Sequence, residues 1–195
     1  MRTHVQRLRM SAGLIVLALI LSSGSPMAFG SKEKTPEQQA SEKKKHAISE
    51  YNDGVKHMET GRTIGRKGDS IYAYNYRATS DAKARKEFEK AVEDFQQAIT
   101  LAPNMPEAYN NLGYSYRKLG NLAASLTAYA KAIELNTYFA QAREYRGETY
   151  LALGDLSKAQ GELDFLKQMK SPYADTLAKS IEVFQLEKFV KPSQR

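Results

Sequence analysis

A set of glycines, tyrosines and small residues recurs every 34 residues in the second half of this chain. Gly113 and Gly120 return as Gly147 and Gly154. The same shift, without a gap, relates four further pairs of positions: Tyr116 and Tyr150, Ser125 and Ala159, Tyr129 and Leu163, and Ala132 and Leu166. A period of about 20 to 50 residues is typical of stacked units that bury their apolar faces only against their neighbours. The chain is therefore constrained to a repeat architecture.

An earlier copy of the pattern is interrupted by extra residues. Its second half is found at Ala91, Phe95, Ala98 and Pro103, while its first half lies upstream, at 47–54, and closes with Gly61. The interval from Gly61 to Ala91 is 30 positions, whereas each later repeat uses five, so the first repeat carries about 25 extra residues. The predicted units are repeat 1 at 47–104 with an insertion near 62–86, repeat 2 at 106–139 and repeat 3 at 140–170.

Small residues within each unit predict two closely packed helices. A first group lies midway along the first helix, where a large side chain of the second helix must approach: Gly54, Gly113 and Gly147. A second group is predicted to end a helix in the left-handed conformation that glycine adopts most readily: Gly61, Gly120 and Gly154. Asn121 and Asp155 follow as caps of the next helix. These features together predict helical hairpins.

These residues resemble the tetratricopeptide repeat (TPR), and the match extends from residue 47 to about residue 169. The resemblance implies an all-α, right-handed helical-hairpin solenoid of three repeats, within a domain at 46–170. Thr137 departs from the family pattern, which has proline there, and Arg143 and Arg146 replace apolar residues. Apolar residues at helical spacing predict a C-terminal capping helix at 171–189, which covers the last repeat, before a tail at 190–195.

The first thirty residues differ from the rest of the chain. Three arginines and no acidic residue precede an apolar run of ten residues at 12–21. A membrane span needs about 20 apolar residues, so this pattern predicts a signal peptide at 1–30, with cleavage before Ser31. We therefore expect a periplasmic or secreted protein with no transmembrane span after cleavage. Retention of the signal as an anchor stays open.

Charge and composition restrict the partners. The chain has 29 basic and 22 acidic residues, for a net charge of +7, and removing the three signal arginines leaves +4. This mildly basic balance, in an exported protein, disfavours nucleic acid as a partner. Residues 31–45 contain one apolar side chain, Ala40, and are predicted to form a flexible charged linker. The lysines at 43–45 leave a surface-binding arm as an alternative.

No motif in the sequence indicates catalysis. The chain has no cysteine, and it lacks both the His-Glu-x-x-His spacing of zinc enzymes and a phosphate-binding glycine loop. His57 lies at a first-helix position that tyrosine occupies in the later repeats, which favours a packing role. We therefore expect a protein that is not an enzyme and has no catalytic, cofactor-binding or metal-binding residue. The resemblance, the signal and the missing cysteines together indicate a bacterial envelope protein.

The resemblance implies that the first helices line a concave groove, which binds an extended peptide or a helix of a partner protein. The predicted groove residues are Tyr51, Asn110, Tyr114, Arg117, Lys118, Glu144 and Glu148. Among these, Asn110 and Arg117 can bond a peptide backbone or a carboxylate, and tyrosines supply contact area. The expected function is a non-catalytic scaffold or assembly factor.

The insertion combines tyrosines with basic residues. Its predicted contact residues are Tyr72, Tyr74, Tyr76 and Arg77. They favour a hairpin that packs on the repeats or contacts a partner. Two alternatives stay open: a self-assembling structural protein that forms a homo-oligomer, and a module that binds polyanions through charge and stacking. Apolar spacing from Asp81 onward predicts that the second helix of repeat 1 begins early.

Overall fold

The computed structural model describes residues 34–66 and 77–190, with side chains through Lys188. Within these ranges the regular structure is helical, so the all-α prediction is confirmed. We number the helices in chain order as α1 (Pro36–Gly65), α2 (Ala82–Leu101), α3 (Pro106–Leu119), α4 (Leu122–Leu135), α5 (Ala140–Ala152), α6 (Leu156–Gln168) and α7 (Tyr173–Val190). The predicted signal peptide, residues 31–33 of the linker and residues 191–195 of the tail lie outside the described residues.

Helix α1 begins earlier than we expected. The Thr35 side chain accepts a hydrogen bond from the backbone N–H of Gln38, and the Gln38 side chain accepts one from the backbone N–H of Thr35. Pro36 is suited to the first turn, where its missing N–H needs no partner. Residues 36–45, which we expected to form a flexible linker, are therefore helical, although their side chains are exposed. A helix that is already nucleated in its packed part extends at little further cost, even through residues whose polar composition is typical of a linker.

Helices α1 and α2 pack through two glycines of α1. A Cβ on Gly54 would lie 2.7 Å from the Phe95 ring, and a Cβ on Gly61 would lie 3.0 Å from the Phe88 ring. Gly61 lies inside α1, so the prediction that it ends a helix is wrong; its small size serves the contact with Phe88. Both helices are longer than those of the later hairpins, at 30 and 20 residues. Part of the predicted insertion at 62–86 thus extends the first hairpin, and α2 begins early, as predicted.

The turns of the next two hairpins, α3–α4 and α5–α6, depend on glycine. Gly120 and Gly154 have φ angles of 85° and 79°. This left-handed region costs a residue with a side chain about 1 kcal/mol or more, so the predictions for these two glycines are confirmed. The side chains of Asn121 and Asp155 accept hydrogen bonds from backbone N–H groups in the first turns of α4 and α6, as predicted for caps. Each turn therefore ends one helix and starts the next.

The glycines midway along the first helices have different partners in the two later hairpins. A Cβ on Gly113 of α3 would lie 2.8 Å from the ring of Tyr129, the predicted kind of contact with the second helix. A Cβ on Gly147 of α5 would lie 2.6 Å from Leu177 of α7 and 3.4 Å from the Cβ of Glu162 of α6, so the second helix does approach, but the nearest side chain is not the predicted large apolar residue of that helix. Leu163 stands in α6 where α4 has Tyr129, and Leu163 and Leu177 belong to the same core cluster.

Helix α7 covers the last hairpin, at the place where a capping helix was predicted. Gly147 lies against Leu177, and Glu148 accepts a hydrogen bond from Ser180, so α7 runs parallel to α5. This helix occupies the place that the first helix of a fourth repeat would take. Its buried apolar side chains join those of α5 and α6 in one core cluster, which contains Leu151, Leu163, Leu166, Leu177, Ile181 and Phe184.

Candidate functional site

The first helices α3 and α5 and the capping helix α7 lie side by side and parallel, which brings several predicted groove residues together. The ring centroids of Tyr114 and Tyr145 are 5.2 Å apart, and Arg117 pairs with Glu148. Each of these pairs is separated by 31 positions along the chain. We call the resulting group the charged cluster, which consists of Arg62, Tyr114, Arg117, Glu144, Tyr145 and Glu148.

Arg117 lies at the centre of the charged cluster with no exposed surface. Its Nη2 atom is 2.9 Å from Glu148 Oε2, and its guanidinium carbon lies 5.2 Å from the Tyr114 ring centroid and 5.4 Å from that of Tyr145. The Ser180 hydroxyl donates a 3.3 Å hydrogen bond to Glu148 Oε1. Removing two charges from water costs about as much free energy as their attraction returns. We therefore interpret this pair as fixing how α3 and α5 meet.

The carboxyl of Glu144 has a raised pKa. Burial raises the pKa of its carboxyl to about 9, and the neighbouring Glu148 acts in the same direction. The cations Arg117 and Arg62 oppose this shift without offsetting it. Burial, and then Glu144, also raise the pKa of Tyr145 to about 12. The raised pKa favours the protonated form of Glu144 near pH 7, in which the carboxyl can donate a hydrogen bond.

Residues 77–80, which we call the strap, cross the C-terminal end of α3. Lys118 Nζ donates a 3.0 Å hydrogen bond to the carbonyl oxygen of Arg77, and the Thr79 N–H donates one of 2.9 Å to the carbonyl of Lys118. Arg77 also forms an ion pair with Glu187 of α7, with 2.7 Å between Nη2 and Oε1. The strap thus connects the segment before α2 with both α3 and α7.

Six of the seven predicted groove residues are buried, with exposed fractions from 0% to 4%: Asn110, Tyr114, Arg117, Lys118, Glu144 and Glu148. The seventh, Tyr51, is half-buried, and its hydroxyl accepts a 3.2 Å hydrogen bond from Asn111. The expectation that these side chains face an open groove is therefore wrong for six of them. Arg62 lies over the Tyr114 ring, the strap contacts Lys118, and α7 contacts Glu148. That these residues contact a partner stays a prediction.

The insertion residues divide into two groups. Tyr72, Tyr74 and Tyr76 lie outside the described residues. Arg77 is described, and it contacts its own chain through Glu187 and Lys118. The sequence did not indicate these contacts because both partners lie far along the chain from Arg77.

Sequence reasoning missed Tyr145 and Arg62 as members of the charged cluster. Tyr145 contacts Tyr114, and Arg62 lies 5.4 Å from the Tyr114 ring centroid. Tyr145 could have been identified from a 31-residue spacing, which separates residues of neighbouring first helices that contact each other. This spacing is three residues shorter than the repeat, or roughly one helical turn. No comparable signal finds Arg62, because the extra residues of repeat 1 displace it from the common register.

A pocket of about 450 Å³ opens where the strap meets the C-terminal ends of α3, α5 and α7. We call it the strap pocket, and it is lined by Arg77, Ala78, Gly120, Leu122, Leu151, Ala152, Phe184, Glu187 and Lys188. Most of these residues are small or apolar, and the three charged ones come from the strap and from α7. The volume lies within the range of roughly 300–1,000 Å³ that ligand sites occupy.

Within residues 34–66 and 77–190, no three histidine or carboxylate side chains are arranged to hold a metal ion. In the same ranges, no helix is both long enough and apolar enough to cross a membrane. His57, the histidine weighed as a packing residue, has its Nδ1 atom 2.6 Å from the carboxylate of Glu87 on α2. Its contact thus joins the two helices of the first hairpin.

Stacked helical hairpins with parallel first helices define the class of α-helical repeat proteins. Residues 83–120 match a family described as TPR repeat, and residues 106–138 match one described as Tetratricopeptide repeat. Residues 83–138 of the chain therefore contain tetratricopeptide repeat sequence. The matched residues lie in α2, α3 and α4 and the turns between them. Tetratricopeptide repeats generally mediate protein–protein interaction.

Proposed function

We propose that this chain is a non-catalytic scaffold or assembly factor of the bacterial periplasm or cell envelope, which binds a peptide or a helix of a partner protein. The observation that carries the proposal is the strap pocket, an open and largely apolar recess where the parallel helices α3, α5 and α7 end. Tetratricopeptide repeats use surfaces built from successive helices to bind partners. Since the charged cluster beside the pocket is buried, we expect docking to begin at the pocket.

The charged cluster supports the proposal as a rigid base for that pocket. Arg117 and Glu148 join α3 to α5, and Ser180 joins α7 to the same carboxylate. These contacts hold together the three helices whose ends form the pocket walls. A binding surface that is already ordered loses less conformational entropy when a partner docks.

Affinity purification from an envelope extract tests this function. Ala152 lines the pocket and is half-buried, so Ala152→Phe should fill the recess and strongly reduce recovery of the partner. The matched control is Ala130→Phe, which adds the same side chain at an exposed position of α4 outside the pocket lining. Circular dichroism verifies that both variants fold. Equal partner recovery by the wild type and by Ala152→Phe would contradict docking at this pocket.

The cellular location has its own test, because it is inferred from residues 1–30. Expression of the full chain in a bacterium, followed by cell fractionation and N-terminal sequencing, should give a periplasmic or secreted product that begins at Ser31. A product that retains Met1 and stays in the cytoplasm would refute export and cleavage.

A further inference from the structure

We infer that the strap pocket binds a protein segment in which an apolar side chain stands next to an acidic one. This inference rests on the proposed function and adds the chemistry of the partner. It concerns a segment of a different protein, not a second copy of this chain. The apolar floor and the charge of the rim each support one half of the inferred pattern.

The floor of the pocket is apolar and firmly held. Leu122 begins α4, Leu151 and Ala152 end α5, and Phe184 comes from α7. Leu151 and Phe184 are also members of the buried core, with 1% and 8% of their surface exposed. The floor is therefore fixed by packing and is not an array of loose side chains. A large apolar side chain that enters the pocket removes its own surface and that of the floor from water, which favours binding.

The described residues at the rim of the pocket carry a net positive charge. Arg77 is paired with Glu187 at 2.7 Å, which leaves Lys188 as the third charged lining residue. Among the described residues Lys188 forms no ion pair, and its Nζ lies 4.6 Å from the Phe184 ring centroid. The amine is thus positioned at the edge of the apolar floor. A side chain that inserts into the floor brings its neighbour in the sequence close to this amine.

Charge complementarity selects a carboxylate for that neighbouring position. A carboxylate can pair with Lys188 without breaking the Arg77–Glu187 pair, and it neutralises the rim. A basic side chain would instead face Lys188 or have to displace Arg77 from Glu187. The geometry therefore favours an apolar residue followed or preceded by Asp or Glu.

Three labelled peptides test this pattern by fluorescence polarisation against the full chain. They share the sequence Gly-Ser-Leu-X-Ser-Gly, where X is Asp, Asn or Lys. The wild type should bind the Asp peptide about twofold to fivefold more tightly than the Asn peptide, as expected for a partly exposed ion pair. Lys188→Gln should remove this preference, and Lys188→Glu should shift it to the Lys peptide. Since Lys188 is exposed, both variants should keep the wild-type melting temperature.

Equal binding of the Asp and Asn peptides to the wild type would overturn the inference, as would an Asp preference that survives in Lys188→Glu. Light scattering gives a third outcome. A wild-type dimer that Ala152→Phe converts to a monomer would make a second copy the occupant, and the inference would be wrong.

The purification from envelope extract separates this inference from the proposed function. If Ala152→Phe loses the partner while Lys188→Glu retains it, the proposed function is supported and the inferred acidic residue in the partner segment is refuted. If Ala152→Phe also retains the partner, docking at the pocket itself is refuted. Loss of the partner by both variants, together with the reversed peptide preference, supports both.

Discussion

The buried, protonated Glu144 should make the folded chain less stable as the pH rises. In the folded protein the pKa of its carboxyl is about 9, against an ordinary value of 4.5. Between these two values the folded chain holds a proton that the unfolded chain has released. Stability is then lost with rising pH, at a slope of about 1.4 kcal/mol per pH unit for one such group.

The interval from about pH 5 to about pH 8 lies inside this window. Over these three pH units Glu144 should cost at most about 4 kcal/mol of unfolding free energy. This free energy is an upper limit for two reasons. Glu144 and Glu148 both interact with Arg117, so their titrations are coupled, and water that enters the site would stabilise the ionised carboxylate. Glu144→Gln keeps the size of the side chain and removes its titration. The variant should therefore lose this pH dependence and be more stable than the wild type at about pH 8.

Urea unfolding followed by circular dichroism, at several values between about pH 5 and pH 8, measures this difference. Glu89→Gln is the matched control, since Glu89 is an exposed carboxylate on α2. The gap between Glu144→Gln and the wild type should widen as the pH rises, while the control follows the wild type. Parallel stability curves for Glu144→Gln and the wild type would refute the argument that Glu144 is buried as a neutral acid.

Three further predictions concern stability, and urea unfolding measures each of them. Gly154→Ala should lower the free energy of unfolding by about 1 kcal/mol, because a φ of 79° strains alanine even in open space. Gly161→Ala, at an exposed site inside α6, should instead raise it by about 0.5–1 kcal/mol, and effects of the same sign would contradict the backbone argument. Arg117→Met should cost about 3–5 kcal/mol, since it leaves Glu148 buried without its cation. Adding Glu148→Met should recover much of that loss, whereas additive losses would show that the two residues are not coupled.

The sequence predicted the helical hairpins because their determinants are local and periodic. The contact of Gly54 with Phe95 recurs as that of Gly113 with Tyr129 because the two helices of each hairpin must approach closely there, and Gly120 marks a turn whose backbone angle favours glycine. Such requirements repeat with every unit, so a single chain displays them several times. The prediction that Gly61 ends a helix was wrong because glycine is favoured both by a left-handed turn and by the close approach of another helix.

The burial of the candidate site could not be predicted in the same way. The polar face of a first helix has the same residue types whether water or another segment covers it. Lys118 is covered by the strap and Glu148 by α7, and neither contact follows from the 34-residue period. The strap pocket escaped prediction for the same reason, since its walls come from four separate parts of the chain. Contacts between segments that lie far apart in the sequence leave no periodic pattern in it.

The N-terminal part of α1 has a consequence for how the repeats are presented. The contacts of Gly54 with Phe95 and of Gly61 with Phe88 place Leu101, the end of α2, opposite residue 48. Residues 36–47 thus extend beyond the end of their partner helix by about 18 Å. A flexible tether of that length would span a similar distance, about 18 Å, but in no preferred direction. The exposed helix therefore fixes the direction in which Thr35 lies from the first hairpin, whereas a flexible tether would fix only a distance. A force or a rotation applied at Thr35 is transmitted directly to the first hairpin.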